Sequence, residues 1–229
     1  MSTPEKKRLF VTRDVAADGM LVAYFTSLGY QVSGTSPLSF EALSQPKLPA
    51  SDWVFFYSRN SLYFLDEENW ASALHRRIAV MGPGTGEACS QRGRDADFVG
   101  SGVPAEVAAD FATLLQLPRL NPPKVLFCQA ETSVRSVGKA LAGRVNRIEF
   151  PTYRSLPKSD WHIPDCDAIL FTSPSAVRAA KGMLAQLYSS TLLSIGPTTA
   201  AALADVGFTE VELVPPKIWN SPAVRGLRS

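Results

Sequence analysis

Short apolar runs alternate along this chain with apolar positions at helical spacing. Residues 9–12 (Leu-Phe-Val-Thr) read as a strand. After them Leu21, Tyr24, Phe25 and Leu28 recur at i, i+3, i+4 and i+7, a helical stripe that Gly29 closes as its C′ residue. Residues 168–171 read as a second strand, followed by a helix with Pro174 near its first turn and Val177, Ala180, Leu184 and Leu187 on one side. Residues 192–195 turn through Gly196-Pro197 into a helix carrying Ala202, Leu203 and Val206, which Gly207 stops. Pro104 starts a helix with Val107, Phe111, Leu114 and Leu115, and Asn121-Pro122-Pro123 breaks the chain before a strand over 125–127. Short apolar strands alternating with amphipathic helices predict an α/β fold whose parallel sheets are covered on both faces.

The pattern also repeats. Asp52-Trp-Val-Phe-Phe-Tyr-Ser58 aligns with Asp167-Ala-Ile-Leu-Phe-Thr-Ser173, and the two serines are 115 residues apart. Gly82-Pro83-Gly-Thr85 aligns with Gly196-Pro197-Thr198-Thr199, and the closing glycines Gly93 and Gly207 share the same offset of 114. A weaker match sets residues 9–12 against 126–129. Ordered matches at nearly one offset indicate two copies of one unit. The copies are not in tandem, because the segment near 52–93 precedes the counterpart of the N-terminal strand. The chain is therefore expected to form two Rossmann-like or flavodoxin-like lobes around a shared ligand cleft: a discontinuous one from residues 1–36 plus 153–229, and an inserted one from 37–152. Two extended segments, Gly34-Thr-Ser-Pro-Leu-Ser-Phe40 and Glu149-Phe-Pro-Thr-Tyr-Arg154, are expected to pair as a two-stranded β linker.

Composition narrows the function. Of 229 residues, 45% are hydrophobic and 19% charged, as in a globular domain with a substantial core. No apolar run approaches the roughly 20 residues of a membrane span, and the first eight residues lack the apolar core of a signal peptide. A net charge of +2 gives no argument for nucleic acid. Cys89, Cys128 and Cys166 are far apart and odd in number, which points to a reducing cytoplasm rather than to disulfides or a metal knuckle.

Ligands of open parallel sheets bind beyond the carboxyl ends of the strands. Ser58, Ser173, Thr85 and the Thr198-Thr199 pair all fall between a strand and a helix. Hydroxyl groups there cap the helix, and the remaining N–H donors with the positive end of the helix dipole favour an anion. The Gly-Pro-x-Thr turn is not a phosphate loop, and no dinucleotide fingerprint is present. His75 lies in a charged His-Arg-Arg patch and reads as solvated; His162, between Trp161 and Ile163, reads as packed in a loop. Neither belongs to a hydrolase signature. Asp66-Glu67-Glu68 reads as a solvated loop or helix end. Tyr153, in the second extended segment, is the candidate acid nearest the expected cleft, alongside a purely structural role.

These motifs resemble the uroporphyrinogen-III synthase family, and the resemblance covers nearly the whole chain. Ser194-Ile-Gly-Pro-Thr-Thr-Ala-Ala-Ala-Leu-Ala-Asp-Val-Gly207 is similar to the family's late "IGPTTAxALxxxG" stretch, and Asp167-Ala-Ile-Leu-Phe-Thr-Ser-Pro-Ser-Ala-Val177 to its "FTSPSAV" stretch. Val11-Thr12-Arg13 resembles its opening, and Pro151-Thr152-Tyr153 its second linker. The resemblance implies a lyase that cyclises hydroxymethylbilane with inversion of its last ring and loss of water, needing no cofactor and no metal. It implies Tyr153 as the group assisting departure of the hydroxyl, and Arg13, Ser58, Thr85, Arg135, Thr172, Ser173, Thr198 and Thr199 as the substrate-binding set. A monomer that meets hydroxymethylbilane synthase transiently is the default expectation. The inserted lobe departs from the pattern at Tyr57-Ser58-Arg59-Asn60, at Gly82-Pro-Gly-Thr-Gly86, and at Gln129-Ala130-Glu131, where Arg135 would supply the positive charge. The competing expectation is a non-catalytic module of the same fold that binds an anionic small molecule or a partner protein.

Overall fold

The computed structural model describes residues 6–16, 19–118, 120–187 and 189–214. It divides into two compact units, Met1–Ser39 with Pro157–Ser229, and Phe40–Leu156.

Unit 1 is built on five strands: β1 (Lys7–Val11), β2 (Tyr30–Gly34), β9 (Ala168–Phe171), β10 (Thr191–Ser194) and β11 (Glu212–Leu213). They lie in the order β11-β10-β9-β1-β2, every pair parallel. Unit 2 carries β3 (Leu38–Ala42), β4 (Trp53–Phe56), β5 (Arg77–Val80), β6 (Phe98–Val99), β7 (Lys124–Ala130) and β8 (Asn146–Pro157) in the order β3-β8-β7-β4-β5-β6. From β8 to β6 the pairs are again parallel.

The two orders explain the repeat. Numbered along the chain, unit 1 reads 2-1-3-4-5, the flavodoxin-like order. Unit 2 gives the same order if β7 and β8 count as its first and second strands and β4, β5 and β6 as its third to fifth. Unit 2 is thus a circular permutation of unit 1, with β4 matching β9 and β7 matching β1. That is why Ser58 precedes the counterpart of the N-terminal strand instead of following it.

Strands β4 and β9 are buried at every position, as expected of strands covered on both faces. In unit 2, Val54, Phe56, Ile78, Val80 and Leu126 pack under α2 (Arg59–Tyr63), α3 (Glu67–Ala73) and α4 (Pro83–Gln91) through Leu62, Trp70 and Ala88. Trp53, Phe55, Val125 and Phe127 face the other way, onto α5 (Pro104–Leu114) and α6 (Ser136–Ala140) through Val107, Phe111 and Val137. In unit 1, Leu9, Val11 and Leu170 meet Leu21 and Phe25 of α1 (Met20–Ser27). Phe10, Ile169 and Phe171 meet Val177 of α7 (Pro174–Ala179) and Leu203 of α8 (Pro197–Ala204). Each such side chain contributes roughly 1.5–3 kcal/mol by leaving water.

Three expectations are corrected. The helix expected from Pro174 to Leu187 ends at Ala179 and continues as a 3-10 turn over Lys181–Leu187. Gly182 lies in the first turn of that 3-10 run, and a glycine disfavours an α-helical interior by roughly 1 kcal/mol. Leu184 and Leu187 are nevertheless buried. Leu28 and Leu114 are exposed, because the last turn of each helix rotates them off the core face. His162 is exposed rather than packed, while Trp161 and Ile163 on either side of it are buried. The two extended segments pair as expected: β3 lies beside the 12-residue β8, as the edge strand of the six-stranded sheet. Among the described residues no helix is long and apolar enough to cross a membrane.

Candidate functional site

At the carboxyl edge of the unit 2 sheet, β4 is followed by Tyr57-Ser58. Ser58 is the N-cap of α2, its hydroxyl accepting from Ser61 N, and Ser61 Oγ completes the capping box. On its other side Ser58 Oγ lies 3.2 Å from Tyr153 Oη. The β7–β8 register shifts at Gln129/Ala130, so that Ala130 pairs with Tyr153 and Thr152 is left over. Such a bulge re-aims side chains. Here Thr152 is fully buried and donates to Ser61 O at 3.1 Å, which ties β8 to α2. Tyr153 is 8% exposed, stacked on Phe64 at 5.6 Å and met edge-on by Phe40 at 5.8 Å. Burial pushes its phenol pKa up, and the Ser58 hydrogen bond pulls it partly back. The phenol therefore holds its proton at neutral pH and can give it only to an acceptor that gains basicity in the reaction.

The next turn along the edge is Gly82-Pro83-Gly84-Thr85. The hydroxyl of Thr85 was expected to cap α4, but the N-cap is Gly82, and no side chain caps the helix. Thr85 is buried one turn in, with its N–H on Gly82 O. The guanidinium of Arg59 lies beside Gly84, 3.7 Å from where a Cβ would stand. Asp66, read as a solvated loop or helix end, is the N-cap of α3 and accepts from Asn69 N at 2.8 Å.

Beyond β7, Arg135 precedes α6 in the left-handed region (φ 57°, ψ 35°). It forms a cluster with Glu149, Arg147, Gln129 and Tyr57. Glu149 accepts from Gln129 Nε2 and lies within ion-pair distance of Arg147 Nε (2.9 Å) and Arg135 Nε (3.5 Å). Tyr57 Oη accepts from Gly138 N at 2.7 Å. Burial raises the Tyr57 pKa to about 12. The sequence reading singled out Arg135 alone. Arg147 and Glu149 stand two apart on one face of β8, a spacing that marks them as neighbours but not as partners of residue 135.

At the carboxyl edge of unit 1, β1 and β9 are fastened by paired hydroxyl contacts. Thr12 Oγ1 donates to Leu170 O and accepts from Thr172 N at 3.0 Å, while Thr172 Oγ1 donates to Thr12 O at 3.2 Å. Ser173 caps α7 by accepting from Ala176 N at 3.1 Å, as Ser58 caps α2. Gly196 is the N-cap of α8 and no side chain caps it; Thr198 is exposed and Thr199 buried, so neither threonine is the cap expected. Arg13 is exposed just after β1. Beside it Gly34 admits no side chain, since a Cβ would fall 2.6 Å from Arg13 O and 2.7 Å from Val11 O. The structure thus brings Ser58 and Tyr153 together in unit 2, and Thr172 and Ser173 beside Arg13 in unit 1 at the β1/β9 junction, where the strand order reverses.

Cys89 and Cys128 are buried and Cys166 is half-buried, all three as free thiols. Burial raises the pKa of each, that of Cys89 to about 11. No group of three or more His, Cys, Asp or Glu side chains among the described residues is arranged to hold a metal.

Comparison with solved structures gives the same fold. The chain is similar to uroporphyrinogen-III synthetase from Helicobacter pylori, with 15% identity, TM-score 0.63, and coverage of 96% of this chain and 99% of that one. It is likewise similar to a mutant uroporphyrinogen III synthase from Thermus thermophilus, with 16% identity, TM-score 0.56, and coverage of 96% and 97%. No curated protein sequence matches it significantly. The model of the family described as uroporphyrinogen-III synthase HemD matches residues 20–218, and the chain therefore belongs to that family of cyclising lyases of tetrapyrrole biosynthesis.

Proposed function

We propose that this chain cyclises hydroxymethylbilane to uroporphyrinogen III, and that Tyr153 is its acid. The carbon–oxygen bond of the hydroxymethyl group breaks and the hydroxyl leaves with one proton as water. The freed carbon bonds to the substituted carbon of the last ring; the bond already at that carbon breaks and re-forms at the ring's unsubstituted carbon, which inverts the ring and releases that carbon's proton in place of the one given to the hydroxyl. One water is lost and no electrons are exchanged. The observation that carries the reading is the buried Ser58–Tyr153 hydroxyl pair at the carboxyl edge of the unit 2 sheet. A phenol whose pKa is raised by burial stays protonated at neutral pH, and a leaving hydroxide is basic enough to take the proton. Ser58 holds the ring in place.

The substrate's carboxylates are met by Arg13, Thr172, Ser173 and Thr198 in unit 1 and by Arg135 in unit 2, with Thr85 and Thr199 shaping the turns from beneath. The uncapped first turns of α4 and α8 add favourable dipoles, each contact contributing roughly 0.3–1 kcal/mol. Most of the rate comes from holding the last ring against the reacting carbon, where effective molarities reach about 10⁵–10⁸ M. The protein acts as a cytoplasmic monomer that takes hydroxymethylbilane as hydroxymethylbilane synthase releases it. Purified protein supplied with hydroxymethylbilane generated in situ is expected to yield the inverted isomer after oxidation and chromatographic separation. The non-inverted isomer alone, formed at the uncatalysed rate, contradicts the proposal and favours a non-catalytic binding module.

A further inference from the structure

Among the described residues three buried side-chain polar atoms lack a hydrogen-bond partner, and all three belong to one cluster: Gln129 Oε1, Arg135 Nε and Glu149 Oε1. Folded proteins satisfy nearly every buried polar atom, and an exception marks a site of strain or of binding. The backbone adds a second sign. Arg135 is one of two non-glycine residues with positive φ among those described, a conformation that costs a long side chain energy and that collects at binding sites.

The charges do not balance. Two guanidinium groups share one carboxylate, and one oxygen of that carboxylate already accepts from Gln129 Nε2. Arg147 holds Glu149 at 2.9 Å. It stands in β8, and Gly138 of α6 packs on its stem, a Cβ there falling 3.1 Å from Arg147 Cδ. Arg135 reaches the same carboxylate only at 3.5 Å, from a turn, and neither guanidinium contact has hydrogen-bond geometry. Its side chain keeps 43% of its surface open against 34% for Arg147, so a ligand can reach it. The nearer cation stands on a strand and the farther one on a turn.

We propose that Arg135 is the spare cation of this cluster and binds a carboxylate of the substrate, with Glu149 serving as the internal counter-ion that the substrate displaces. This rests on the synthase reading, because the substrate of that reaction supplies the carboxylate. The exchange strands no charge: when Arg135 turns to the ligand, Glu149 keeps Arg147. Arg135 Nε then gains the partner it lacks, and Glu149 is free to rotate its unpartnered oxygen into line with Arg147. Gln129 follows the same carboxylate.

A competing counter-ion weakens binding by about the strength of a partly exposed ion pair, roughly two- to fivefold. Glu149→Gln is therefore expected to lower the KM for hydroxymethylbilane two- to fivefold, whereas Arg135→Gln raises it. In an Arg135→Gln background the Glu149→Gln effect on KM is expected to vanish. An unchanged Glu149→Gln effect in that background, or a rise in KM on Glu149→Gln alone, overturns the proposal. A measurement on the unmutated protein decides the matter should Glu149→Gln fail to fold. Uroporphyrin III is expected to protect Arg135, but not Arg147, from phenylglyoxal, read by peptide mapping. Equal protection of both arginines, or of neither, overturns the proposal. Unmutated protein that forms no inverted isomer overturns the synthase reading, while the protection pattern decides Arg135 on its own.

Discussion

Tyr153 reaches its hydroxyl partner from 95 residues away in sequence, and what it can do follows from burial. Burial against the rings of Phe40 and Phe64 raises its pKa, so the role proposed for it is that of a proton donor and not of a base. Tyr153→Phe keeps the ring contacts and removes the proton. A loss of about a hundredfold in kcat is expected, at the low end of the range for a general acid, with little change in melting temperature; unchanged kcat would remove Tyr153 from the chemistry. Tyr57 gives a second prediction with a definite sign. Its pKa is about 12 in the folded protein against 10.0 for the free phenol. Between those values the folded state keeps a proton that the unfolded chain releases, so stability falls as pH rises through the window. Cys89, raised from 9.0 to about 11, starts the decline earlier. Urea midpoints measured from pH 8 to pH 11 are expected to drop steadily, and to drop less in Tyr57→Phe. That variant starts from lower stability, because Gly138 N–H loses its acceptor at a cost of about 1–3 kcal/mol.

At the scale of elements, the carboxyl edge depends on close backbone approach. Gly34 ends β2 against Val11 and Arg13, and Gly34→Ala is expected to destabilise the fold by about 1–3 kcal/mol; an unchanged denaturation midpoint would mean that β1 and β2 can separate there freely. The strands were legible because β4 and β9 are apolar along their whole length, as a doubly covered sheet requires. The serine caps were legible too, since Ser58 and Ser173 each follow such a run. The bare glycine caps at Gly82 and Gly196 were not, because Gly-Pro followed by threonine fits either residue as the cap. Nor was the meeting of Ser58 with Tyr153. It depends on the single-residue shift between β7 and β8, and a bulge leaves no periodic trace in sequence. The Arg135 cluster was hidden for the same reason: Gln129, Arg135 and Glu149 come from three elements whose register had to be seen.

The whole molecule is two copies of one sheet order, one of them permuted. Unit 2 is continuous from Phe40 to Leu156 and has apolar packing on both faces of its sheet, whereas unit 1 joins segments from both ends of the chain. A fragment spanning residues 37–157 is therefore expected to unfold cooperatively in urea by itself; a gradual, non-cooperative loss of signal would contradict the independence of its core. Equivalent turns carry different residues, Ser58-Arg59 in one unit and Ser173-Pro174 in the other, so the two edges differ within one plan. The central claim is that this plan steers closure of a linear tetrapyrrole towards the inverted ring. It is tested most directly by mixing hydroxymethylbilane with increasing amounts of the protein and following the ratio of the two uroporphyrinogen isomers. A fraction of the inverted isomer that rises with protein concentration towards unity is the predicted result. A ratio fixed at that of the protein-free reaction would contradict it.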